Sequence, residues 1–229
     1  MSYHKFTLIA LVAVTITLVL AACGAPTAAP TTATQAPPAA TILPNPVVSS
    51  DQLRFVVIPE SSEARYRVRE QLVERDLPSD AVGATNAISG TLTIDQNGNL
   101  VANGSRFVID IATLRSDSGR RDGFLSNNIM QASRYPNVTF VPTALKGLPS
   151  PLPTSGEGTF EMTGDLTIRG VTKPATWAIT LRREGDTLTG QANTSFTFAD
   201  FDIPQPRVPV LLSVQDLIKL EFDFTMVQQ

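Results

Sequence analysis

The most constraining feature of this sequence is a long alternation of apolar and polar residues at positions 159–182. The apolar set comprises Phe160, Met162, Gly164, Leu166 and Ile168 before Gly170, and Ala175, Trp177, Ile179 and Leu181 after it. Successive side chains of a β-strand point to opposite faces, so the run predicts a hairpin with one shared apolar face. A two-stranded ribbon cannot bury such a face alone. The run therefore requires further strands that close over it.

The same period of two returns throughout the chain after position 51. Alternating runs surround Phe55, Tyr66, Ile88, Phe107, Val138, Phe196 and Phe222. An Asn97-Gly98 turn between two of these runs is a strong hairpin signal. Residues 116–133 lack the alternation and predict a short helical insertion. We therefore expect a mainly β domain of about eight antiparallel strands, which either closes into a barrel or stacks as two sheets.

The N-terminus carries an export signal. Lys5 precedes an apolar stretch at residues 6–20, which is short for a membrane span, and Leu20-Ala21-Ala22-Cys23 follows it. This ending is similar to a bacterial lipobox, which implies cleavage after Ala22 and lipidation of Cys23. Because Cys23 is the only cysteine, it has no partner for an intramolecular disulfide. We therefore expect an extracytoplasmic protein that Cys23 anchors to a bacterial membrane, rather than a protein with an ordinary signal peptide.

A linker follows the signal. Residues 24–50 carry no charge and consist mainly of Ala, Thr and Pro, so they bury too little apolar surface to offset the entropy of ordering them. In polyproline II geometry this segment would reach about 80 Å. The predicted organisation is a lipoprotein signal peptide at residues 1–22, a lipidated Cys23 with a disordered linker at residues 23–50, and one domain at residues 51–229.

One motif of this domain resembles a known family. The run Gly164-Asp165-Leu166-Thr167-Ile168-Arg169-Gly170-Val171-Thr172-Lys173-Pro174 is similar to the signature of the YceI-like, polyisoprenoid-binding proteins. Further stretches that agree with the family lie at residues 109–114, 135–140, 196–204 and 214–220. The resemblance implies a single lipocalin-like barrel, with a helical insertion near its mouth and a long isoprenoid chain in its lumen. Residues 64–70 depart from the family pattern, because the usual Ser and His are absent there.

The strand parity identifies the side chains that would face the lumen of such a barrel. They are Phe107, Ile109, Ile111, Phe140, Phe160, Met162, Leu166, Ile168, Trp177, Ile179, Leu181, Phe196, Phe198, Leu220, Phe222 and Phe224. We expect them to contact a polyisoprenoid or an isoprenoid quinone, while Arg120, Arg121 and Asp122 at the mouth are candidate partners for its head group. The alternative is a solid-core barrel, without a ligand, that acts as a protein-interaction or stress-related module of the cell envelope.

The residues that the mature domain lacks argue against catalysis. The only histidine, His4, lies in the signal, and no nucleotide-binding or serine-hydrolase motif is present. Asp200 and Asp202 are more typical of a turn than of a cation site. The formal net charge of −3 gives no reason to expect a nucleic-acid partner. We predict a non-enzymatic protein with no catalytic residue, no metal and no cofactor besides bound isoprenoid lipid.

Charged residues also alternate on the outer faces of two strands. Arg65, Arg67 and Arg69 lie on an early strand, and Lys219, Glu221 and Asp223 lie on the last one. If these two strands pair to close a barrel, opposite charges meet across the seam, and each such pair stabilises by about 0.2–1 kcal/mol. This arrangement explains the arginines without a nucleic-acid partner.

Overall fold

The structure is a computed structural model that describes residues 51–229, so the predicted signal peptide, lipidated Cys23 and linker lie outside the described residues. Within this range ten β-segments form one antiparallel sheet. They are β1 (Gln52–Val57), β2 (Glu63–Leu72), β3 (Ser79–Thr85), β4 (Ile88–Asp95), β5 (Arg106–Asp110), β6 (Asn137–Lys146), β7 (Ser155–Ile168), β8 (Val171–Glu184), β9 (Thr187–Thr197) and β10 (Leu211–Gln228).

Helical structure is confined to short segments. The predicted insertion lies between β5 and β6 and comprises α1 (Gly119–Phe124) followed by a π-helical turn at Leu125–Ile129. Three-residue or four-residue 3₁₀ turns lie at Pro59–Ser61, Ile111–Thr113 and Phe198–Phe201. Among residues 51–229 no helix has the length and apolar character needed to cross a membrane.

Pairing between the first and last strands closes the sheet into a barrel. One edge of β10 pairs with β9, and its other edge pairs with β2 and then with β1. β1 pairs in turn with β4, and β2 pairs with β3. β1 and β2 therefore act as one interrupted strand, as do β3 and β4. The ten segments make a closed barrel of eight antiparallel strands, which confirms the predicted strand number and resolves the choice between barrel and stacked sheets.

The hairpin predicted from residues 159–182 is formed by β7 and β8. Ile168 pairs with Val171, so Arg169 and Gly170 form a two-residue turn, and their φ angles are +50° and +78°. Such a turn matches the right-handed twist of the strands, and glycine adopts positive φ without strain. Pro174 is tolerated in β8 because β9 pairs with that strand only from Ala178 onward.

The two ends of the barrel differ. At one end, which we call the mouth, lie the β2–β3 loop, the helical insertion and the loop before β10. At the other end, the floor, Phe55 and Ile94 are at most 1% exposed, and Arg183 points inward. The Arg183 guanidinium donates to Gly185 O at 2.8 Å and to Gln228 Oε1 at 3.0 Å, and it lies 5.4 Å above the Phe55 ring. The floor is therefore sealed by packed side chains.

Candidate ligand-binding cavity

The interior of the barrel is hollow. A cavity of about 830 Å³ extends from Leu211 at the mouth to Met226 near the floor. Those two residues are fifteen positions apart on β10, which corresponds to roughly 35 Å along the axis of a barrel with the usual strand tilt. Ligand pockets commonly enclose about 300–1,000 Å³. The space is therefore large and long enough for an extended ligand.

Fifteen of the sixteen side chains predicted to face the lumen line this cavity. They are Phe107, Ile109, Ile111, Phe140, Phe160, Met162, Ile168, Trp177, Ile179, Leu181, Phe196, Phe198, Leu220, Phe222 and Phe224. Leu166 does not line it: its side chain is buried to 1% exposure, so its neighbours leave it no free surface. Contact between these residues and a ligand stays a prediction.

Several parts of the wall were not predicted from the sequence. The additional apolar lining residues include Ala64, Val68, Ala81, Ile88, Leu92, Leu188, Ala192, Ile218 and Met226 on the strands, and Phe124, Leu125, Ile129 and Met130 in the insertion. Most of the strand residues have the same parity as the predicted set, which is the signal that identifies them. Ala81 lies on β3, whose small residues give no clear apolar alternation.

Glycines on the inner face let large rings lie flat against the wall. Phe107 pairs across strands with Gly90, and a Cβ atom at Gly90 would lie 2.4 Å from Phe107 Cδ1. Tyr66 pairs with Gly83 in the same way, and a Cβ atom at Gly83 would lie 2.2 Å from Tyr66 Cε1. Real Cβ atoms do not approach that closely. The missing side chains therefore make room for aromatic rings that would otherwise project into the lumen.

A polar cluster interrupts the apolar wall near the mouth. Arg121 of α1 donates through Nη2 to Glu70 Oε1 of β2 at 2.8 Å, and through Nη1 to Asp117 and to Ser116 Oγ. The Glu70 side chain is only 10% exposed. Tyr66 lies close to this pair, and burial raises the pKa of its hydroxyl to about 12. Because that hydroxyl donates no hydrogen bond to a described residue, a neutral donor is available at the mouth.

The three predicted head-group residues have different positions. Arg120 and Arg121 line the cavity, whereas Asp122 does not. The Asp122 carboxylate instead accepts hydrogen bonds from Ser116 N at 2.9 Å and from Ser116 Oγ at 2.6 Å. These bonds turn the carboxylate toward the backbone at the start of the insertion. The sequence did not identify Tyr66 and Glu70, because their approach to the insertion depends on tertiary folding.

The turn motif at residues 164–174 contacts the loop after β9 at the mouth. Arg169 Nη1 donates to Asp202 O at 2.6 Å, which ties the β7–β8 turn to the loop after β9. Asp200 accepts from Thr197 N at 2.7 Å and from Thr197 Oγ1 at 2.8 Å, as a capping residue does. Within residues 51–229 no three His, Cys, Asp or Glu side chains come together as metal ligands.

Comparisons with known proteins agree with this architecture. A family model described as a YceI-like domain matches residues 55–226. A UPF0312 protein of Vibrio vulnificus is 33% identical over 129 residues, which cover 53% of this chain and 64% of that protein. A UPF0312 protein of Pseudomonas putida is 34% identical over 111 residues, which cover 44% of this chain and 54% of that protein. The chain thus spans less than two thirds of these relatives.

Two solved structures share the fold. One is a polyisoprenoid binding domain from Saccharophagus degradans, described as implicated in plant cell wall breakdown. It has 12% sequence identity and a TM-score of 0.58, with 77% of this chain and 99% of that one covered. The other is BcnA of Burkholderia cenocepacia, with 20% identity, a TM-score of 0.54, and coverage of 74% and 98%. At these identities the likeness shows a common fold.

Proposed function

The chain belongs to the YceI-like family, and from this premise we propose that it is a non-enzymatic binding protein that holds a long apolar lipid, a polyisoprenoid or an isoprenoid quinone, in the barrel lumen. The observation that carries the proposal is the cavity of about 830 Å³, whose wall is apolar from the floor almost to the mouth. The shared fold of the polyisoprenoid binding domain from Saccharophagus degradans supports the ligand class.

The energetics favour exchange with a membrane. Burial of one methylene is worth about 0.8 kcal/mol, so an isoprene unit gains on the order of 3 kcal/mol when it leaves water for the lumen. Transfer from a bilayer is close to neutral, because the lipid interior is also apolar. The proposed carrier therefore loads and unloads reversibly at a membrane. Lipidation of Cys23 and an extracytoplasmic position, which the lipobox-like ending supports, would keep the domain close to that membrane.

The polar cluster at the mouth favours an uncharged head group. Glu70 and Asp117 already pair with the Arg121 guanidinium, so a phosphate placed at this cluster would meet two carboxylates beside a compensated cation. Arg120 also lines the cavity and forms no ion pair within residues 51–229, but it is not part of the Glu70–Arg121–Asp117 cluster. A carbonyl, ether or hydroxyl group carries no such electrostatic cost and can accept a hydrogen bond from the Tyr66 hydroxyl. The cluster therefore fits a quinone or an alcohol better than a pyrophosphate.

The alternative of a solid-core interaction module has less support. A barrel that acts only through its outer loops does not need an open interior, and cores are normally packed with few voids larger than a water molecule. Under that alternative, the long cavity would lower the stability of the fold without serving a function.

Lipid analysis of the purified protein tests the proposal. The protein, expressed in a bacterium with its export signal, would be extracted with chloroform and methanol, and the extract analysed by mass spectrometry. We expect about one isoprenoid lipid per protein molecule. The proposal is wrong if the extract contains no isoprenoid lipid and the extracted protein takes none up from vesicles that contain a quinone.

A further inference from the structure

Exposed large apolar side chains gather at the mouth of the barrel. Val73 and Leu77, in the β2–β3 loop, are 54% and 76% exposed, and Val210 and Leu212, around the start of β10, are 51% and 64% exposed. Val73 N donates to Val210 O at 3.0 Å, so the two segments lie side by side. We call these four side chains the mouth patch. Leu217, also on β10, is the one other large apolar side chain of residues 51–229 that is exposed to this degree.

The mouth patch is continuous with the cavity. Val210 belongs to both, and its neighbours Leu72, Val208 and Leu211 line the cavity. An apolar surface thus leads from the lumen to the outside of the domain at this end, whereas packed side chains seal the floor. A protein partner seated on the patch would cover this opening. A bilayer seated there would instead offer the lumen a continuous apolar path, so the position of the patch favours a lipid partner.

The charge around the patch indicates which lipid surface fits. Residues 73–78 contain Glu74, Arg75 and Asp76, and Arg207 lies in the facing segment. The two positive and two negative charges cancel, so these segments have no electrostatic preference for an anionic membrane. Exposed aliphatic side chains on a neutral background match the interface of a zwitterionic bilayer, where apolar insertion rather than charge provides the affinity.

The position of the N-terminus allows this orientation. β1 begins at Gln52 on the floor, at the end opposite to the mouth. The interrupted strand formed by residues 52–72 extends at most about 70 Å. If residues 24–50 form the predicted linker, they would span about 80 Å when fully extended in polyproline II geometry, and an anchor at Cys23 would then allow the mouth to turn toward the same bilayer.

From these observations we propose that the mouth patch inserts into the interface of a zwitterionic lipid bilayer, so that the lumen opens directly onto the lipid phase. Docking would let the bound lipid pass directly between the lumen and the bilayer. This inference rests on the proposed lipid-binding function. The physical basis of docking, an apolar patch on two segments whose charges cancel at the open end of the barrel, can be tested separately from ligand binding.

Vesicle flotation tests the docking. Residues 51–229 lie in one compact unit that contains both closing strands and the described core, so this unit can be studied without the anchor. The wild-type unit and a Leu77→Ser/Leu212→Ser variant would be mixed with phosphatidylcholine vesicles. We expect the variant to bind at least about tenfold more weakly, because two exposed leucines no longer insert. The matched control is Arg75→Gln/Arg207→Gln, which changes two charges in the same segments.

The control and a high-salt sample should each change binding by less than about twofold, since the proposed insertion is not electrostatic. The docking proposal is overturned if the wild-type unit does not float, or if the leucine variant floats equally well. Loss of flotation in the arginine variant or in high salt also overturns it. A wild-type dimer that the leucine variant converts to a monomer would identify the patch as a self-association surface instead.

Lipid content measured on the same samples separates the two proposals. A unit that contains isoprenoid lipid but does not float retains the lipid-binding function and refutes docking. A unit that floats but contains no lipid, and acquires none from quinone-containing vesicles, supports docking and refutes the lipid-binding function.

Discussion

Tyr66 belongs both to the apolar wall of the lumen and to the polar cluster at the mouth. Its ring lies over Gly83 as part of the apolar wall, while its hydroxyl approaches the Glu70–Arg121 pair at the mouth. The hydroxyl is protonated at physiological pH, as an ordinary tyrosine is, and can donate a hydrogen bond; burial raises its pKa further, to about 12. Under the proposed function, the apolar wall would select the lipid tail, and a neutral donor beside a compensated ion pair would select the head group.

Replacement of Tyr66 by phenylalanine should separate head-group recognition from tail burial. The variant keeps the ring but loses the donor, so we expect affinity for an isoprenoid quinone to fall by about three- to tenfold, the value of one neutral hydrogen bond. Affinity for a hydrocarbon without a head group should not change. Titration calorimetry with both ligands measures this difference. Tyr135→Phe, which removes a phenol that does not line the cavity, is the matched control. Equal losses for both ligands would contradict the assigned role.

At the scale of elements, contacts between side chains on neighbouring strands shape and stabilise the barrel. Where β4 meets β5, the ring of Phe107 lies in the place that a side chain at position 90 would occupy. Where β10 meets β2, Arg65 Nε and Arg67 Nε lie 3.2 Å and 3.1 Å from the Glu221 carboxylate. The predicted charge pairing across the closing seam is thus confirmed for Arg65 and Arg67, whereas Arg69 pairs with Asp80 of β3 instead. The first relation preserves the lumen, and the second adds a modest stabilisation to the strand pairing that closes the barrel.

A methyl group at position 90 should disturb the wall. In Gly90→Ala the new Cβ would overlap Phe107, so either the ring moves into the lumen or the strands shift, and we expect a loss of about 1–3 kcal/mol in the free energy of unfolding. Gly158→Ala is the control, since nothing lies within 4 Å of its added Cβ atom. This control should be neutral or slightly stabilising. Urea denaturation compares the two, and equal stability would show that Phe107 does not require the glycine.

The closing seam should be sensitive to acid. Hydrogen bonds from Arg67, assisted by Arg65, hold the pKa of Glu221 below its ordinary value of 4.5. The folded state therefore binds the proton less readily than the unfolded state, so the stabilisation is complete above pH 4.5 and is lost as pH falls through the lower folded pKa. We expect Glu221→Gln to cost about 1 kcal/mol at pH 7.

The difference between wild type and Glu221→Gln should shrink as the pH is lowered below 4.5. Denaturant titrations over a pH series measure it, with Glu157→Gln, an exposed position on β7, as the control. A difference that is constant with pH would mean that the ionised carboxylate is not the stabilising group.

The sequence predicts the strands well where apolar and polar side chains alternate clearly, and less well elsewhere. Long strands such as β7 and β8 are evident because apolar residues repeat with period two from Phe160 to Ile168 and from Ala175 to Leu181. β3 was missed because its Ala and Gly residues have little apolar contrast, and its pairing with β2 defines it instead. The start of β10 also lacks a clear apolar alternation, and the pairing of Leu211 with Leu72 defines it as a strand.

The candidate site was predictable to a similar extent. Parity alone located most of the lumen wall, because closure of the sheet turns one complete face inward. The pairing of Glu70 with Arg121 spans 51 positions and depends on where the insertion folds over the mouth. Local sequence patterns carry no information on such a contact, so the polar end of the cavity required the structure.

At the scale of the whole molecule, one end of the barrel is sealed and the other is open and apolar. Arg183, Phe55 and Ile94 close the floor, whereas Val210 and Leu211 extend the lumen surface to the outside. This asymmetry gives a ligand one direction of entry. Under the proposed function, the tail would enter first and occupy the depth of the barrel, and the head group would stay beside the polar cluster near the mouth.

Occupancy of the lumen is the central claim, and native mass spectrometry of three proteins tests it most directly. In Ala192→Phe a ring is added to the inner face of β9, on the cavity wall, whereas in Ala178→Phe the same ring is added to the exposed outer face of β8. We predict a mass increment of one isoprenoid lipid on the wild-type protein and on Ala178→Phe, with the increment strongly reduced or absent on Ala192→Phe. A folded wild-type protein without the increment after incubation with quinone-containing vesicles, or an equal increment on Ala192→Phe, would contradict a lipid held in the lumen.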